Sequence, residues 1–497
     1  MARGDQVGVT VALAVGRSEQ GDEVTVQDLR VGLTYDDVIL VPRRSRIRSR
    51  QDVSTRSFFT RAIEVEVPLV SANMDTVTTA PMAIAMARLG GIGAIHRFLS
   101  VPEQVAEVAK VKRHLNYVIE SPYSISPSAT VAEARAETER HNVTGLVVTE
   151  SDGRIAGILT ARDVKAASSE SAVKDAMTPA DKLVTARKGV GLNEARELMH
   201  RHRVEKLPLV EDDGRLAGLI TLRDLMLVEQ LPGATRDDRG RLRVAAAIGA
   251  RGDYMPRTEA LVEAEADAVV LDIAHGHADH AIEALRDIKA SWPGVQVVAG
   301  NVATAAGFRD LADAGADAVK VGIGPGFACS TRLVAGVGVP QLTAAMDCGV
   351  VAQELGVPLI ADGGIRRPGD LAKAIAAGAS TAMIGSLFAG RDESPGDVVR
   401  RGGDVYKVYR GMASRSAAAA RLGIEGRADA LDQYVPEGEE MEFRLRGPVA
   451  EIVRDLVGGL RSGMSYVDAA TVEELWDKAR FIRQTESGQR ESKPGSP

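Results

Sequence analysis

The sequence predicts an α/β protein, a (β/α)8 barrel into which a smaller repeated unit is inserted. Two observations predict this fold. Short apolar runs, each with Gly, Asp, Asn or Ser at or near its end, alternate with helical stretches: AVVLDIA, VQVVAGNVAT, AVKVGIG, PLIADGG and TAMIGS. Two segments that begin 61 residues apart, DGRIAGILTARD at Asp152 and DGRLAGLITLRD at Asp213, nearly repeat each other.

The apolar runs are expected to form a parallel sheet, because continuous apolar strands that alternate with helices are buried on both faces. Earlier strands near EVPLVSANM and GGIGAIH bring the strand–helix units to about eight, enough to close a barrel whose ligand site lies at the carboxyl ends of its strands. An open doubly wound sheet is the alternative. Its dinucleotide-binding motif, GxGxxG opening a helix, is only weakly matched by GIGPGF, which contains a proline.

Each copy of the repeat is predicted to contain an amphipathic helix, a β-branched strand, an Asp-Gly hairpin turn and a second strand. The pair occupies residues 115–230 and separates the first part of the barrel, 29–114, from the second part, 231–497. Residues 1–28 are expected to be a flexible N-terminal extension. The sequence therefore predicts one large domain interrupted by a small double one.

Composition excludes several classes of protein. Of 497 residues, 45% are hydrophobic and 26% charged, which is typical of a soluble globular protein. Two cysteines cannot build a disulfide framework, so a reducing compartment is expected. No apolar run is long enough for a membrane span, and a net charge of −7 without a basic stripe makes nucleic acid an unlikely main partner. We expect a cytoplasmic enzyme.

One of the two cysteines lies in the glycine-rich loop VGIGPGFACSTR, residues 321–332. Cys329 is either a nucleophile in a polar loop at a strand end or a small buried apolar residue, and the pattern alone leaves both open. Cys348 lies in the helical stretch AAMDCGVVAQEL, where packing is the expected role.

Two further loops suggest a phosphate site. Asp362-Gly363-Gly364 ends one predicted strand and Gly385-Ser386 ends the next. Glycines let backbone N–H groups converge on an anion, and an aspartate at a strand end can hold ribose hydroxyls. Barrel phosphate sites often follow the seventh and eighth strands. Simple tight turns are the alternative for each loop alone.

Eight motifs together resemble the inosine monophosphate dehydrogenase family and the related guanosine monophosphate reductases. They are TYDDVIL, SANMDTV, LDIAHGH, AGNVAT, GIGPGFACSTR, ADGGIRRPGDLAKA, MIGSLFAG and YRGMAS, and the similarity runs in order from about residue 29 to 493. The repeat pair resembles the tandem cystathionine-β-synthase-type (CBS) domains that interrupt the TIM barrel of that family.

The resemblance implies a chemistry. In the family the loop cysteine adds to C2 of a purine nucleotide, hydride leaves C2 for NAD, and water hydrolyses the remaining thioimidate, which divides one hard substitution into two easier steps. Cys329 would be the nucleophile and Thr331 would assist proton transfer. The substrate would be held at its phosphate, ribose and base by Met74, Asp362, Gly363, Gly364, Gly385, Ser386, Tyr409, Gly411, Met412, Ala413 and Glu437.

The resemblance also implies further ligands and a homotetramer or octamer. NAD would be held at Asp272, Asn301, Gly322 and Gly324. Potassium would be bound by the carbonyls of Gly324, Gly326 and Cys329, together with Glu491, Ser492 and Lys493 of a neighbouring subunit. Regulatory adenine or guanine nucleotides would bind the repeat pair at Thr160, Asp163, Thr221 and Asp224, although helix capping by the threonines is the alternative.

Three departures from the family pattern bear on the reaction. Dehydrogenases of the family activate water with an Arg-Tyr pair on a mobile flap, here about 411–445, but no Arg-Tyr occurs there and the aligned residues are Glu425-Gly426. Glu425 or Arg427 could take the role, with plain surface charge the alternative for Glu425. Phe327 replaces a phosphate-contacting serine. Arg415 replaces the catalytic glutamate of the reductases and cannot act as a carboxylate.

Four functions therefore compete. The first is NAD-dependent oxidation of IMP to XMP, and the second is C2 oxidation of AMP to 2-hydroxy-AMP. The third is reductive deamination of GMP with NADPH. All three use Cys329, whereas the fourth is a nucleotide-sensing protein without turnover. Glu437 would accept a hydrogen bond from N1–H of IMP, whereas with AMP it would have to accept from the amino group or be protonated.

Overall fold

The computed structural model describes residues 14–17, 23–25, 29–114, 118–120, 122–141, 143–229, 231–424 and 428–492. Eight parallel strands close into a barrel, as the sequence predicts. In chain order, the first to eighth barrel strands are Leu69–Ser71, Ile92–Ile95, Ala245–Ile248, Ala268–Asp272, Gln296–Val302, Ala318–Val321, Leu359–Asp362 and Thr381–Ile384. The open doubly wound sheet is thereby excluded.

The barrel interior is filled by alternate residues of the strands. Small and branched side chains dominate it, among them Ala245, Ala268, Val298 and Ile360, which are fully buried. The hairpin Ser57–Phe58 and Glu64–Val65 contributes to the same cluster, together with the buried Phe59 in its turn. Alternation along each strand sends the remaining side chains outward against the helices.

Along the chain the strands alternate with helices. These helices form a ring around the barrel, and their apolar faces pack against its outside. The main helices that follow strands one to eight are Ala80–Arg88, Val101–Arg113, Tyr254–Glu263, Asp279–Ser291, Ala305–Asp313, Gln341–Leu355, Pro368–Ala376 and Val449–Tyr466. The predicted (β/α)8 architecture is confirmed by this alternation.

The inserted segment lies between the second helix of the ring and the third barrel strand. Its first unit contains strands Ser124–Ile125, Gly145–Thr149, Ile155–Thr160 and Thr178–Pro179, and helices Val131–His141, Ala161–Ala166 and Val173–Ala176. Its second unit contains strands Val118–Ile119, Ala186–Arg187, Lys206–Val210 and Leu216–Thr221, and helices Leu192–His202 and Leu222–Glu229.

The two units repeat each other in strand register as well as in sequence. Gly145 pairs with Thr160 in the first hairpin, and Lys206 pairs with Thr221 in the second, again at an offset of 61. The Asp-Gly turns also match, because Gly153 and Gly214 both adopt positive φ, which glycine tolerates best. Each unit has its own apolar core, and a third small cluster joins the two.

The remaining elements frame the barrel. Strands Val398–Arg401, Asp404–Arg410 and Glu440–Arg444 form an antiparallel sheet after the eighth strand, and helix Arg415–Ile424 lies between the last two. Shorter elements are strands Ala14–Arg17, Glu23–Thr25, Val38–Leu40 and Phe481–Arg483, and helices Thr331–Val334, Val472–Lys478 and Glu486–Glu491. The 3-10 helices are Tyr35–Asp37, Arg50–Asp52, Ala180–Lys182 and Ala428–Gln433. Among the helices of the described ranges, none has the length and apolarity needed to cross a membrane.

Candidate functional site

A cavity of about 370 Å³ opens at the carboxyl ends of the barrel strands. The loops after the first, sixth, seventh and eighth strands contribute to its wall. Seven residues that the sequence predicts as substrate ligands line it together: Met74, Asp362, Gly363, Gly364, Gly385, Ser386 and Tyr409. Residues far apart in sequence therefore meet where a barrel places its ligand site.

Cys329 lies in the loop between Phe327 and Arg332, two residues that line this cavity. Its side chain is exposed, and its Sγ lies 3.3 Å from Oγ1 of Thr331. A backbone hydrogen bond connects the loop to the flap: Ser330 N–H donates to the carbonyl of Glu437 at 2.9 Å. An exposed thiol with a hydroxyl beside it is the arrangement expected of a nucleophile with a proton-transfer partner.

The flap residues Gly411, Met412, Ala413 and Glu437 gather around the same loop. Glu437 N–H donates to the carbonyl of Ala413 at 3.0 Å, and a Cβ on Gly411 would lie 2.6 Å from the carbonyl oxygen of Ala328. Glycine is needed there because the two backbones touch. The predicted base-contacting backbone thus lies next to Cys329.

Cys348 is fully buried in helix Gln341–Leu355, as predicted. Burial raises the pKa of its thiol to about 12. A buried thiol that stays protonated is not a nucleophile.

The two glycine loops, at Gly363-Gly364 and at Gly385, lie close to neighbouring groups of the cavity wall. Gly363 and Gly364 adopt φ of +93° and +83°. A Cβ on Gly363 would lie 3.1 Å from the backbone nitrogen of Gly326, and a Cβ on Gly385 would lie 3.1 Å from the hydroxyl of Tyr409. Backbone groups and the Ser386 side chain are therefore presented to the cavity in the way that suits an anion.

Tyr409 adds a hydroxyl that stays neutral. Its side chain is 3% exposed, and its hydroxyl lies 3.7 Å from the Met74 sulfur. Burial, reinforced by the charge of Asp362, raises the pKa of the phenol far above its usual value. The group therefore remains a hydrogen-bond donor at physiological pH.

Phe327, which stands where the family pattern named above has a serine, lies among aromatic side chains. Its ring centroid lies 5.8 Å from that of Phe443, and Phe443 in turn lies 5.3 Å from Tyr409. A second, smaller cavity of about 190 Å³ lies between Phe327, Ser386 and Phe443. The Phe327 ring thus packs the cysteine loop against Phe443 and, through Phe443, against Tyr409 of the three-stranded sheet.

The predicted cofactor residues Asp272 and Asn301 lie at the ends of neighbouring strands. Asn301 Nδ2 donates to the carbonyl of Gly322 at 2.7 Å and to Oδ2 of Asp362 at 2.8 Å. The Asn301 side-chain oxygen also accepts from Lys320, so this amide is paired within the protein. The Asp272 carboxylate is the type of group that accepts from ribose hydroxyls, which fits the riboside of the predicted cofactor.

Lys320 is a site residue that the sequence interpretation missed. Its ammonium is buried among Asp362 at 2.9 Å, Asp272 at 3.6 Å and the side-chain oxygen of Asn301. Burial opposes the charged form, but the attraction of Asp362 and Asp272 outweighs it and raises the pKa of Lys320. The available signal was a single lysine inside the apolar strand AVKVG, since lysine is rarely buried unless paired.

Most of the residues predicted as potassium ligands lie within the part of the chain that the structure describes. Gly324, Gly326 and Cys329 lie in one loop, and peptide carbonyls are the type of ligand that potassium takes. The carbonyl of Gly326 accepts from Cys329 N–H at 3.1 Å. Glu491 and Ser492 lie at the end of a short helix, which Gln489 ties to its own barrel by donating to the carbonyl of Asp36 at 2.9 Å. Lys493 lies outside the described residues, as do Glu425 and Arg427.

The repeat-pair residues have a structural role in the first copy. Thr160 caps helix Ala161–Ala166: its hydroxyl donates to Asp163 at 2.7 Å, and its N–H donates to the same carboxylate at 2.8 Å. This is the capping alternative of the sequence interpretation. Thr221 ends the matching strand of the second copy, and the side chain of Asp224 is outside those described.

Comparisons with known proteins agree with this geometry. Residues 32–495 match the model of the IMP dehydrogenase / GMP reductase domain. The chain is 47% identical to inosine-5'-monophosphate dehydrogenase of Nitrosopumilus maritimus, over 94% of this chain and 98% of that protein. It is equally identical to the enzyme of that name from Aquifex aeolicus, over 93% and 95%.

Solved structures of the other activity are similar as well. A cysteine-to-alanine variant of GMP reductase from Trypanosoma brucei, in complex with guanosine 5'-monophosphate, is 44% identical with a TM-score of 0.83. That alignment covers 95% of this chain and 99% of the other. The reductase in complex with guanosine 5'-triphosphate is 41% identical with a TM-score of 0.73, over 92% and 99%. The resemblance found in the motifs is confirmed.

Proposed function

The chain belongs to the IMP dehydrogenase / GMP reductase family of oxidoreductases, and from this premise we propose that it oxidises IMP at C2 with NAD through a covalent intermediate on Cys329. The observation that carries the proposal is the exposed Cys329 thiol, 3.3 Å from the Thr331 hydroxyl, in a loop that lines the cavity. A thiol placed there can reach a purine whose phosphate lies at the glycine loops.

The cavity residues suit the three parts of a nucleotide. Gly364, Gly385, Ser386 and Tyr409 would hold the phosphate through backbone N–H groups and hydroxyls. Asp362 would accept hydrogen bonds from ribose hydroxyls. Further ligands follow the predictions made from the sequence, with Met74 against the ring and the backbone of Met412 and Ala413 at the base edge.

In the proposed reaction, the Cys329 thiolate adds to C2 and the hydride on C2 departs. NAD, when bound beside Asp272 and Asn301, supplies the two-electron oxidant. Water then hydrolyses the thioimidate on Cys329, so that IMP, NAD and water become XMP, NADH and a proton. The hydroxyl of Thr331, next to the sulfur, is placed to pass a proton during addition or hydrolysis.

The reductase activity is a second candidate, and a specific observation favours it. The flap has no Arg-Tyr pair, which the oxidation needs for activating water, whereas the reduction needs no water. Thiol addition to C2 of GMP would expel ammonia, hydride from NADPH would reach C2, and Cys329 would leave, so that GMP, NADPH and two protons become IMP, NADP and ammonium. The similarity to the Trypanosoma brucei reductase supports it, while Arg415 in place of the reductase glutamate opposes it.

Other assignments belong to the same proposal. We infer a potassium ion at the Gly324–Cys329 loop, regulatory adenine or guanine nucleotides at the repeat pair, and a homotetramer or octamer. Two exposed apolar side chains support contact with another subunit: Leu333, next to the cysteine loop, is 86% exposed, and Val350, in helix Gln341–Leu355, is 70% exposed. A cytoplasmic location stays a prediction.

One substrate panel tests the function. Purified full-length protein with potassium is mixed with IMP and NAD, AMP and NAD, or GMP and NADPH, and the nicotinamide absorbance is followed. IMP with NAD should react, and Cys329→Ala should lower the rate of that reaction at least about a thousandfold. Cys348→Ala, the matched control, should retain activity because that thiol is buried away from the cavity.

Rapid quench and mass spectrometry complete the test. A nucleotide adduct should appear on the wild-type protein and be absent from Cys329→Ala. Reaction of GMP with NADPH alone would replace the first candidate by the second. Binding of nucleotides without any redox change would overturn both and leave the sensing function.

A further inference from the structure

The buried ammonium group of Lys320 lies beneath the proposed ribose site. Lys320 is in the sixth barrel strand, and its side chain is 3% exposed. Strand register explains its neighbours: Asp272 pairs with Gly300, and Gly300 pairs with Lys320, so the fourth, fifth and sixth strands reach the same level at the carboxyl end. Asp362 ends the seventh strand beside them.

The contacts of the ammonium group are shared between both ligand subsites. On one side it contacts Asp362, the proposed ribose ligand, at 2.9 Å. On the other side it contacts Asp272, the proposed cofactor ligand, at 3.6 Å, and it donates to Asn301. One positive charge therefore stands between two carboxylates that the proposed reaction uses.

Asp362 is constrained by this environment. Its Oδ2 accepts from both Lys320 and Nδ2 of Asn301, at 2.9 and 2.8 Å, while its side chain remains 25% exposed toward the cavity. Two donors on one carboxylate oxygen fix the rotation of the group. The other oxygen, Oδ1, is then the one available to ribose hydroxyls.

We propose that Lys320 is a positioning residue for ribose recognition: it holds the Asp362 carboxylate oriented toward the ribose of the bound nucleotide. This inference rests on the proposed function, since it takes Asp362 as the ribose ligand. Lys320 itself does not touch the substrate in this arrangement. Its removal should therefore weaken discrimination for ribose hydroxyls rather than weaken all binding equally.

The chain contains a matched control for this residue. Lys112 is also buried, 6% exposed, and is held by two carboxylates, Asp237 at 2.9 Å and Asp267 at 2.8 Å. Asp267 immediately precedes the fourth barrel strand, so this cluster lies at the opposite end of the strand that carries Asp272. Loss of Lys112 should disturb folding comparably without reaching the nucleotide.

The experiment measures calorimetric binding of IMP and of its 2′,3′-dideoxy analogue to the full-length protein. Wild type should bind IMP more tightly than the analogue. Lys320→Met should raise the dissociation constant of IMP about tenfold, because a charge-assisted contact is lost, and should change that of the analogue less than about threefold. Lys112→Met should leave the ratio of the two constants unchanged.

The outcomes separate this inference from the function. Equal weakening of both ligands by Lys320→Met would show a merely structural role and overturn the inference. Wild-type protein that binds neither ligand would overturn the proposed function, and equal binding of both would remove Asp362 as the ribose ligand. If Lys320→Met does not fold, Lys320→Gln keeps a donor without the charge and is judged by the same ratio. In an Asp362→Ala background, Lys320→Gln should produce no further change of that ratio.

Discussion

A serine in place of Phe327 should bind the nucleotide phosphate more tightly than an alanine at the same position. Phe327 lies in the cysteine loop and lines the cavity beside Gly364 and Ser386, but its ring offers no hydrogen-bond donor. A hydroxyl that donates to a charged phosphate contributes about 1.5–3 kcal/mol net. A gain at the lower end corresponds to about tenfold in affinity.

The ring that is removed also has contacts, and these must be separated from the hydroxyl. Phe327 is 56% exposed, so less than half of its surface is buried, and its main partner is Phe443 at 5.8 Å. Aromatic pairs of this kind contribute about 0.5–1.5 kcal/mol. Phe327→Ala loses the same ring without gaining a hydroxyl, so the comparison of Phe327→Ser with Phe327→Ala isolates the new hydrogen bond.

The assay is the steady-state KM of the reacting nucleotide for wild type and both variants. Phe327→Ser should show a KM about tenfold below that of Phe327→Ala. With the corresponding nucleoside, which lacks the phosphate, the two variants should be indistinguishable. Equal KM values for the nucleotide would refute the assignment of the glycine loops as the phosphate site.

Two further predictions concern the stability of the fold at low pH and the glycine loop of the proposed nucleotide site. His96 is 4% exposed, its Nδ1 accepts from Phe98 N–H at 3.1 Å, and burial lowers its pKa to about 4. In the unfolded chain the imidazole is protonated below about pH 6.5, whereas in the folded chain it stays neutral down to about pH 4. The folded state is therefore destabilised relative to the unfolded state as pH falls from about 6.5 toward 4. Between pH 8 and pH 5, wild type should lose about 2 kcal/mol more than His96→Gln in chemical denaturation; parallel losses would contradict the buried neutral imidazole. Gly364 has φ of +83°, and a Cβ there would lie 3.3 Å from the Tyr35 ring, so Gly364→Ala should cost about 1–2 kcal/mol of unfolding free energy and raise the nucleotide KM. Gly369→Ala, where a Cβ meets nothing within 4 Å, should leave KM unchanged; a similar rise in KM for both would contradict a local effect.

Much of the barrel was predictable from local patterns, but one strand was not. Most barrel strands correspond to apolar runs that end in Gly, Asp, Asn or Ser. The third strand, Ala245–Ile248, lies in the alanine-rich run RVAAAIGA, and alanine is a poor indicator of strand. Only the fully buried position between the second and fourth strands explains why these residues are extended.

The candidate site was likewise predictable where a motif carries it. The Cys329 loop and the two glycine loops were recognised from their residues, and the structure places them around one cavity. Lys320 was missed because its role depends on partners in three other strands. A lysine in an apolar run becomes informative only when those strands are known to lie side by side.

The sequence by itself determined the barrel, the repeated insertion and the family, because apolar periodicity, the 61-residue repeat and collinear motifs are all local or ordered along the chain. The tertiary structure alone decided which side chains meet. Asp272, Asn301, Lys320 and Asp362 come from four strands separated by helices, and only parallel pairing in register brings their side chains to one level. The physical reason is that strand register, which places these charges together, is set by packing across the whole barrel and is not written in any single segment.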